Sequence, residues 1–441
     1  MQTSSPLRAV DDLPPDVPAT EGLPSGPASG PVKKLLFRFA FGYLVLYNFP
    51  FPLSDLPSVQ TGYLRIWRPL VRWVGRNAFG VTLTRQSGGD STYSYVQVFC
   101  FLVISLAAAL VWTLLDRKRR DYARLYEGLR VYVRFVLAVT LVVYGASKVF
   151  PSQFLAPTTD RLMQPYGDSS PLGLYWTFLG ASVPYGVFTG LGELAGGLLL
   201  TLRRTTLFGA LVGIGVLSNA VMLNLGYDGS AKLFSVHLLL MAAFLAARDL
   251  RRLTQVLVLN RPAEPEEIRP LFRRKGLART AAAVAAVFVL YRTGASLYGS
   301  YREMVEHGPK AASGVPLRGM WNVEELMVDG EVRPPLVTEE RRWRRLFFST
   351  PGLLAIQLMS GSRERFDLDL DEKQGRLVLH RRDDPDGKTT LVYQRPQPDV
   401  LLVAGPFEGH QVRARLRLTE PPKFLLVTRG FHWVSDGAGN R

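Results

Sequence analysis

Apolar residues in this chain gather into seven long blocks, 35–53, 95–115, 131–150, 175–202, 205–225, 231–247 and 277–298. Blocks of this length approach or cross a hydrocarbon core of about 30 Å, where only helices and closed barrels satisfy every backbone polar group. The expectation is a polytopic α-helical membrane protein. The first and sixth blocks have the shortest clean apolar cores.

The net charge of +16 over 441 residues would suit a nucleic-acid partner, but its distribution points elsewhere. Lys33, Lys34 and Arg38, DRKRR (116–120), Arg203 and Arg204, RDLRR (248–252) and RRKGLAR (273–279) all border apolar blocks. With alternating spans they fall on one side, as the positive-inside rule requires, so the predicted partner is the lipid bilayer and not nucleic acid. The N-terminus is then cytoplasmic and the C-terminal region extracytoplasmic. Arg65, Arg68, Arg72 and Arg76 fall in the first outer loop, against that rule. Their helical spacing, with Trp67, Leu70, Val71, Val74 and Phe79 as apolar contacts, predicts a helix lying in the headgroup plane that Pro69 starts or kinks. A re-entrant first block would instead change the side of the N-terminus alone.

Cys100 is the single cysteine, which excludes an intrachain disulfide, a CxxC redox pair and a thiolate cluster for zinc or iron and sulfur. No intrinsic cofactor and no metal site is expected. Residues 1–31, rich in Pro, Ser and Gly, lack the basic start and apolar centre of a secretory signal and read as a disordered tail.

Four blocks between residues 131 and 247 follow one another through short connections, which predicts a central antiparallel four-helix bundle. Two flanking spans precede it within 32–130; a basic cytoplasmic loop (248–276), a seventh span (277–298) and a linker (299–316) follow. Beyond residue 317 the period changes. MWNVEELMV, WRRLFFST, LLAIQLM, RFDLDLD, RLVLHRR, TTLVYQ, VLLVAG, QVRARLRL and FLLVTRG are short, often alternating segments, parted in places by turn signals such as DG, SG and PDG. They predict an all-β barrel or sandwich over 317–441.

Within the bundle, TGLGELAGGLLLTLRR sets one carboxylate, Glu193, among glycine, alanine and leucine. A central acid in a spanning helix costs about 2.5–3.5 kcal/mol even on the lenient insertion scale, so partners are expected. Tyr144 and Lys148 in the third span, Asn219 and Asn224 in the fifth, and Lys232 and His237 in the sixth reach similar depth. Facing inward, they predict one shared polar pocket opening outward. Gly190, Gly192, Gly196 and Gly197 give neighbouring helices room for close approach. Two readings stay open: a structural ion pair or amide network that fixes helix register, and a binding or proton-handling site. His237 lacks a second intramembrane histidine, which favours a hydrogen-bonded helix residue over a metal ligand or a bis-His haem.

YGASKVF (144–150), GLGELAGGLLL (190–200), NAVMLNLGYD (219–228) and KLFSVHLLLMA (232–242) together resemble the DoxX family of bacterial membrane proteins, over about the middle third of the chain. The resemblance implies a four-helix bundle in a bacterial inner membrane, and highlights Lys148, Glu193, Lys232 and His237. Some relatives are linked to quinone-dependent sulfur oxidation, so quinone is the implied cofactor. The leading expectation is a pocket for a small, lipophilic or quinone-like molecule. Alternatives are the membrane subunit of a quinone-linked oxidoreductase, which needs a redox partner subunit, and a transport or lipid-handling protein.

In the β-region, LRGMWNV (317–323) carries Gly319 and Trp321 in a GxW arrangement similar to lipocalin-like barrels, where the Trp closes one end of the core. The alternative is a Trp packed in any β core. RGFHWVSD (429–436) is the expected source of an arginine and aromatic pair against it. His380, His410 and His432 show no metal-ligand spacing. The WRR and RARLR segments read as solvated strand faces, with an anionic lipid or partner surface as the alternative. No Ser-His-Asp order, nucleotide loop or acid pair marks a hydrolase or kinase.

Overall fold

The computed structural model describes residues 30–83, 89–116, 122–264, 274–308, 314–381 and 387–433. The tail at 1–29, the cations at 117–120, the loop at 265–273 and residues 434–436 of the late Arg and aromatic motif lie outside the described residues. Internal contacts divide the chain into two compact units, residues 1–86 with 92–132, and residues 87–91 with 133–441.

The first unit holds α1 (Pro31–Asn48), α2 (Pro57–Phe79), α3 (Thr92–Leu115) and the start of α4 (Ala123–Val149). Helix α1 stops before Pro50 and Pro52, which have no N–H to continue the ladder, so the block read as 35–53 is shortened. Pro69 does not start α2. The helix begins at Pro57, where a first-turn proline is tolerated, and Pro69 lies inside it. Trp67, Val71 and Gly75 recur at i, i+4 and i+8 and are buried. Trp67 and Val71 pack with Tyr93, Val96, Cys100 and Phe101 of α3. Phe79, another of the expected apolar contacts of this helix, is half exposed and meets Phe99 edge-on at 5.1 Å.

The second unit continues α4 and adds α5 (Thr159–Leu162), α6 (Pro171–Ala181), α7 (Val183–Thr201), α8 (Thr206–Gly226), α9 (Lys232–Ala247), α10 (Leu250–Leu253) and α11 (Lys275–His307). By length and composition five helices are candidate spans: α3, α4, α7, α8 and α11. Helix α9 joins them if counted with the helical segment that follows at Leu250–Val258, bent by 75°. Part of the expected basic loop is therefore helical. The block 175–202 is two helices, because the chain breaks at Ser182 and Pro184 takes a place in the first turn of α7. The link between the third and fourth blocks is not brief either: residues 151–174 hold α5 and the first turn of α6. Helix α11 runs through the first half of the expected linker.

After α11 come β1 (Gly319–Val328), β2 (Glu331–Val332), β3 (Trp343–Thr350), β4 (Leu353–Leu358), β5 (Arg363–Asp371), β6 (Arg376–Arg381), β7 (Lys388–Gln397), β8 (Val400–Phe407) and β9 (His410–Thr419). Neighbours in the order β1-β3-β4-β5-β6-β7-β8-β9 pair antiparallel, and β9 returns to β1, closing an eight-stranded barrel with β2 folded back on the end of β1. Closure decides barrel over sandwich and removes the free edges. Alternation does the sorting. On β9, Val412, Ala414 and Leu416 point inward while Arg413, Arg415 and Arg417 are exposed. FLLVTRG is not a ninth barrel strand; it holds a single turn, α12 (Leu425–Thr428), since the closed sheet offers it no edge.

Trp321 is fully buried at the opening of β1 and its Nε1–H donates to the Leu317 carbonyl at 2.9 Å. Gly319 has φ +141°, and a Cβ there would fall 2.4 Å from Leu418 Cδ1. The arginine over the indole is Arg395, at 5.7 Å from the ring centroid, held by the carbonyls of Pro316 and Pro398. The late motif does not supply that pair: Phe431 and Trp433 are exposed.

Candidate functional site

Helices α4 and α7 meet through missing side chains. A Cβ on Gly145 would lie 2.6 Å from the Leu194 nitrogen, one on Gly190 2.7 Å from Lys148 Cβ, and one on Gly197 2.8 Å from the Ala138 carbonyl. Glycines on both helices thus bring the backbones into contact. On the next seam, a Cβ on Gly209 of α8 would lie 2.8 Å from the Leu200 nitrogen.

That close approach sets Lys148 beside Glu193. Lys148 Nζ donates to Glu193 Oε1 in a short contact, and the two side chains are only 12% and 7% exposed. Glu193 Oε2 is buried and has no hydrogen-bond partner among the described residues. A buried acceptor left open in this way costs about 1–3 kcal/mol, so it marks the point where a donor from outside the chain is most favourable. Tyr144, one turn before Lys148, lies within electrostatic range of Glu193 and packs on Phe234 of α9 at 5.8 Å.

The other expected members resolve into separate pairs. Asn224 donates to the Ala220 carbonyl at 3.0 Å and reaches Ser235 Oγ at 3.4 Å, bridging α8 and α9. Lys232 Nζ pairs with Asp228 at 2.6 Å. That partner lies four residues away on the same stretch of chain, so the pair forms without ordering a second helix. His237 is buried and its Nδ1 engages the Leu233 carbonyl at 2.6 Å, the hydrogen-bonded helix residue the sequence favoured. Asn219 is exposed on α8. Depth along a helix is legible from sequence, whereas the neighbour that a given helix face meets depends on the packing.

Several polar residues escaped the sequence reading. Tyr175 of α6 also lies within electrostatic range of Glu193 and packs between Phe154 at 5.9 Å and Tyr227 at 6.2 Å. Its position at the edge of an apolar block was the only signal. Asp90, before α3, caps α9: Oδ2 accepts the Lys232 N–H at 2.6 Å and Oδ1 the Leu233 N–H at 2.9 Å. In the first unit Arg38, read as a topology charge, is buried and donates to Thr113 Oγ1 at 2.6 Å, the Asp116 carbonyl at 2.9 Å and Tyr122 Oη at 3.0 Å.

Asp160 of α5 joins the segment after α4 to the barrel. It is 1% exposed; Oδ2 accepts from Arg365 Nη2 at 2.7 Å and Arg363 Nη1 at 3.2 Å, and the Asp160 carbonyl accepts from Arg363 Nη1 at 2.7 Å. Burial pulls the Arg363 guanidinium pKa down, and the Asp160 carboxylate opposes that pull. Met163 adds an apolar contact to Met320, Phe347 and Ala355 on the barrel's outer surface. RARLR is a charged outer strand face, with Arg415 and Arg417 both on Glu324. His380 and His410 pair with Asp369 at 3.4 Å and Asp329 at 2.6 Å, and among the described residues no group of three or more His, Cys, Asp or Glu is placed to hold a metal.

No family model and no solved structure matches the chain. The uncharacterized protein YwoB of Bacillus subtilis (strain 168) is similar: 32% identical over 119 residues, spanning 27% of this chain and 75% of YwoB. With three quarters of that relative covered at this identity, the chain belongs to the family of the uncharacterized protein YwoB.

Proposed function

We propose that this chain is an integral protein of a bacterial inner membrane whose DoxX-like bundle of α4, α7, α8 and α9 binds a small, lipophilic or quinone-like molecule beside Lys148 and Glu193. The N-terminus is cytoplasmic and the barrel extracytoplasmic. One observation carries the reading: Glu193 Oε2 is buried without a hydrogen-bond partner among the described residues, next to an oxygen already held by Lys148. A hydroxyl of a bound molecule, such as that of a quinol, would supply the missing donor beside the oxygen that Lys148 already holds. The five candidate spans and the exposed apolar residues of α11 support placement in a bilayer. Redox turnover is not part of the proposal, since it would need a partner subunit with a cofactor.

The test is purification in mild detergent followed by mass spectrometry of retained small molecules, for the wild type and Glu193→Gln. Selective loss of one lipophilic species from a variant of normal folded yield supports the proposal. A fall in folded yield, with the same species retained by whatever protein folds, assigns the pair to architecture alone.

A further inference from the structure

Helix α2 presents two stripes that are exposed among the described residues. Trp67, Val71 and Gly75 are buried at i, i+4 and i+8. Arg65, Arg68, Arg72 and Arg76, at i, i+3, i+7 and i+11, run along one flank and are all exposed. Next to them Ile66, Pro69 and Trp73, at i, i+3 and i+7, form an apolar stripe, with Ile66 68% and Trp73 64% exposed. The helix PSVQTGYLRIWRPLVRWVGRNAF contains no Asp or Glu, so its four arginines have no acid on the helix itself. Exposed tryptophan and isoleucine beside a row of arginines is an unfavourable surface in water. It is favourable at a bilayer boundary, where the apolar stripe enters the acyl region and the guanidinium groups stay at the phosphates.

The end of α2 adds a concave feature. Gly80, with φ +66°, takes the left-handed conformation that ends the helix, and the Val81 N–H returns to the Gly75 carbonyl at 3.0 Å. Leu83 then folds back on Gly75, where a Cβ would come within 2.8 Å of Leu83 Cδ1. The reversal opens a cavity of about 490 Å³ lined by Arg72, Trp73, Arg76, Asn77, Val81 and Thr82 among others. Two of the lining residues are arginines, and arginine binds a phosphodiester through paired N–H donors.

We propose that this face of α2 docks onto anionic phospholipid, with the phosphate of one headgroup held between Arg72 and Arg76 and Trp73 at the acyl boundary. Charge complementarity selects that occupant: a stripe of four cations without a helical acid favours an anionic headgroup over a zwitterionic one. The site is separate from Glu193, so either assignment can fail without the other.

The experiment passes the full-length protein through gel filtration in mild detergent doped with equal amounts of phosphatidylglycerol and phosphatidylcholine of matched chains, then quantifies bound lipid by mass spectrometry. The wild type should retain phosphatidylglycerol preferentially, and the preference should weaken as salt is raised. Arg72→Gln/Arg76→Gln should lower it on the order of tenfold at unchanged melting temperature, while Arg72→Lys/Arg76→Lys retains part of it. Should the glutamine variant fail to fold, the salt series on the wild type decides. Equal retention of both lipids, a preference indifferent to salt, or an unaltered preference in a folded glutamine variant would overturn the assignment. So would sedimentation showing that Ile66→Ser/Trp73→Ser turns a dimer into a monomer, because a second copy would then cover the face.

Discussion

Asp160 Oδ2 lies 2.7 Å from Arg365 Nη2, and the same oxygen also receives Arg363. This contact links residues some two hundred positions apart, and it ties the segment that follows Lys148 to the barrel wall. Asp160→Ala would leave Arg363 buried without its counter-charge. The expected loss is about 3 kcal/mol, at the low end for a broken buried pair because Arg365 keeps partial contact with water. Thermal unfolding measures it, and limited proteolysis should cut the 150–170 segment faster in the variant. Arg363→Gln should be more damaging than Arg365→Gln, since Arg363 is the more buried of the two.

The α4–α7 seam gives a second expectation. Gly145→Ala puts a Cβ 2.6 Å from the Leu194 nitrogen, a backbone atom that cannot swing aside. The helices must separate, at a cost of about 1–3 kcal/mol, and Lys148 draws away from Glu193. Gly215→Ala is the control, because nothing lies within 4 Å of its added Cβ and a mid-helix alanine should stabilise by about 0.5–1 kcal/mol. Melting temperatures of the two variants in the same detergent should move in opposite directions.

Asp90 holds two backbone N–H groups at the start of α9 that no residue of α9 itself can satisfy. Asp90→Ala should destabilise the protein by about 1 kcal/mol, and Asp90→Asn by less, because an amide oxygen still accepts one bond. Hydrogen exchange at Lys232 and Leu233 would report it directly; unchanged protection in Asp90→Ala would refute the capping role.

The β1–β2 turn supplies a pH dependence. The Gln411 N–H, followed by His410, pulls the Asp329 carboxyl below its usual range. A depressed folded value means the contribution is complete above the ordinary carboxylate range and is lost as pH falls through the folded value. Unfolding midpoints of the full-length protein should therefore drop on acidification below about pH 4, and Asp329→Asn should flatten that acid limb. Identical acid limbs for both proteins would remove the turn from the account.

Much of this architecture was legible because it depends on patterns that survive without knowledge of neighbours. The apolar blocks that became α3, α4, α7, α8 and α9, the shift to period two beyond residue 317, and the alternation that sends Arg413, Arg415 and Arg417 outward are all consequences of backbone geometry acting on solvent preference. The demand for a partner at Glu193 is likewise local, since a carboxylate among glycine and leucine has an energetic deficit wherever its helix packs. Which cation answers it is not local. Lys148 and Lys232 were equal candidates by depth, and only the glycine contact between α4 and α7 brought the first to Glu193 while Asp228 took the second. The same division governs the barrel. Strand alternation was written in the sequence, but closure of β9 on β1, Arg395 over Trp321, and the seating of Asp160 on β5 arise from contacts between distant segments. Spacing along a chain fixes which face a side chain occupies; the partner across that face exists only once the elements have met.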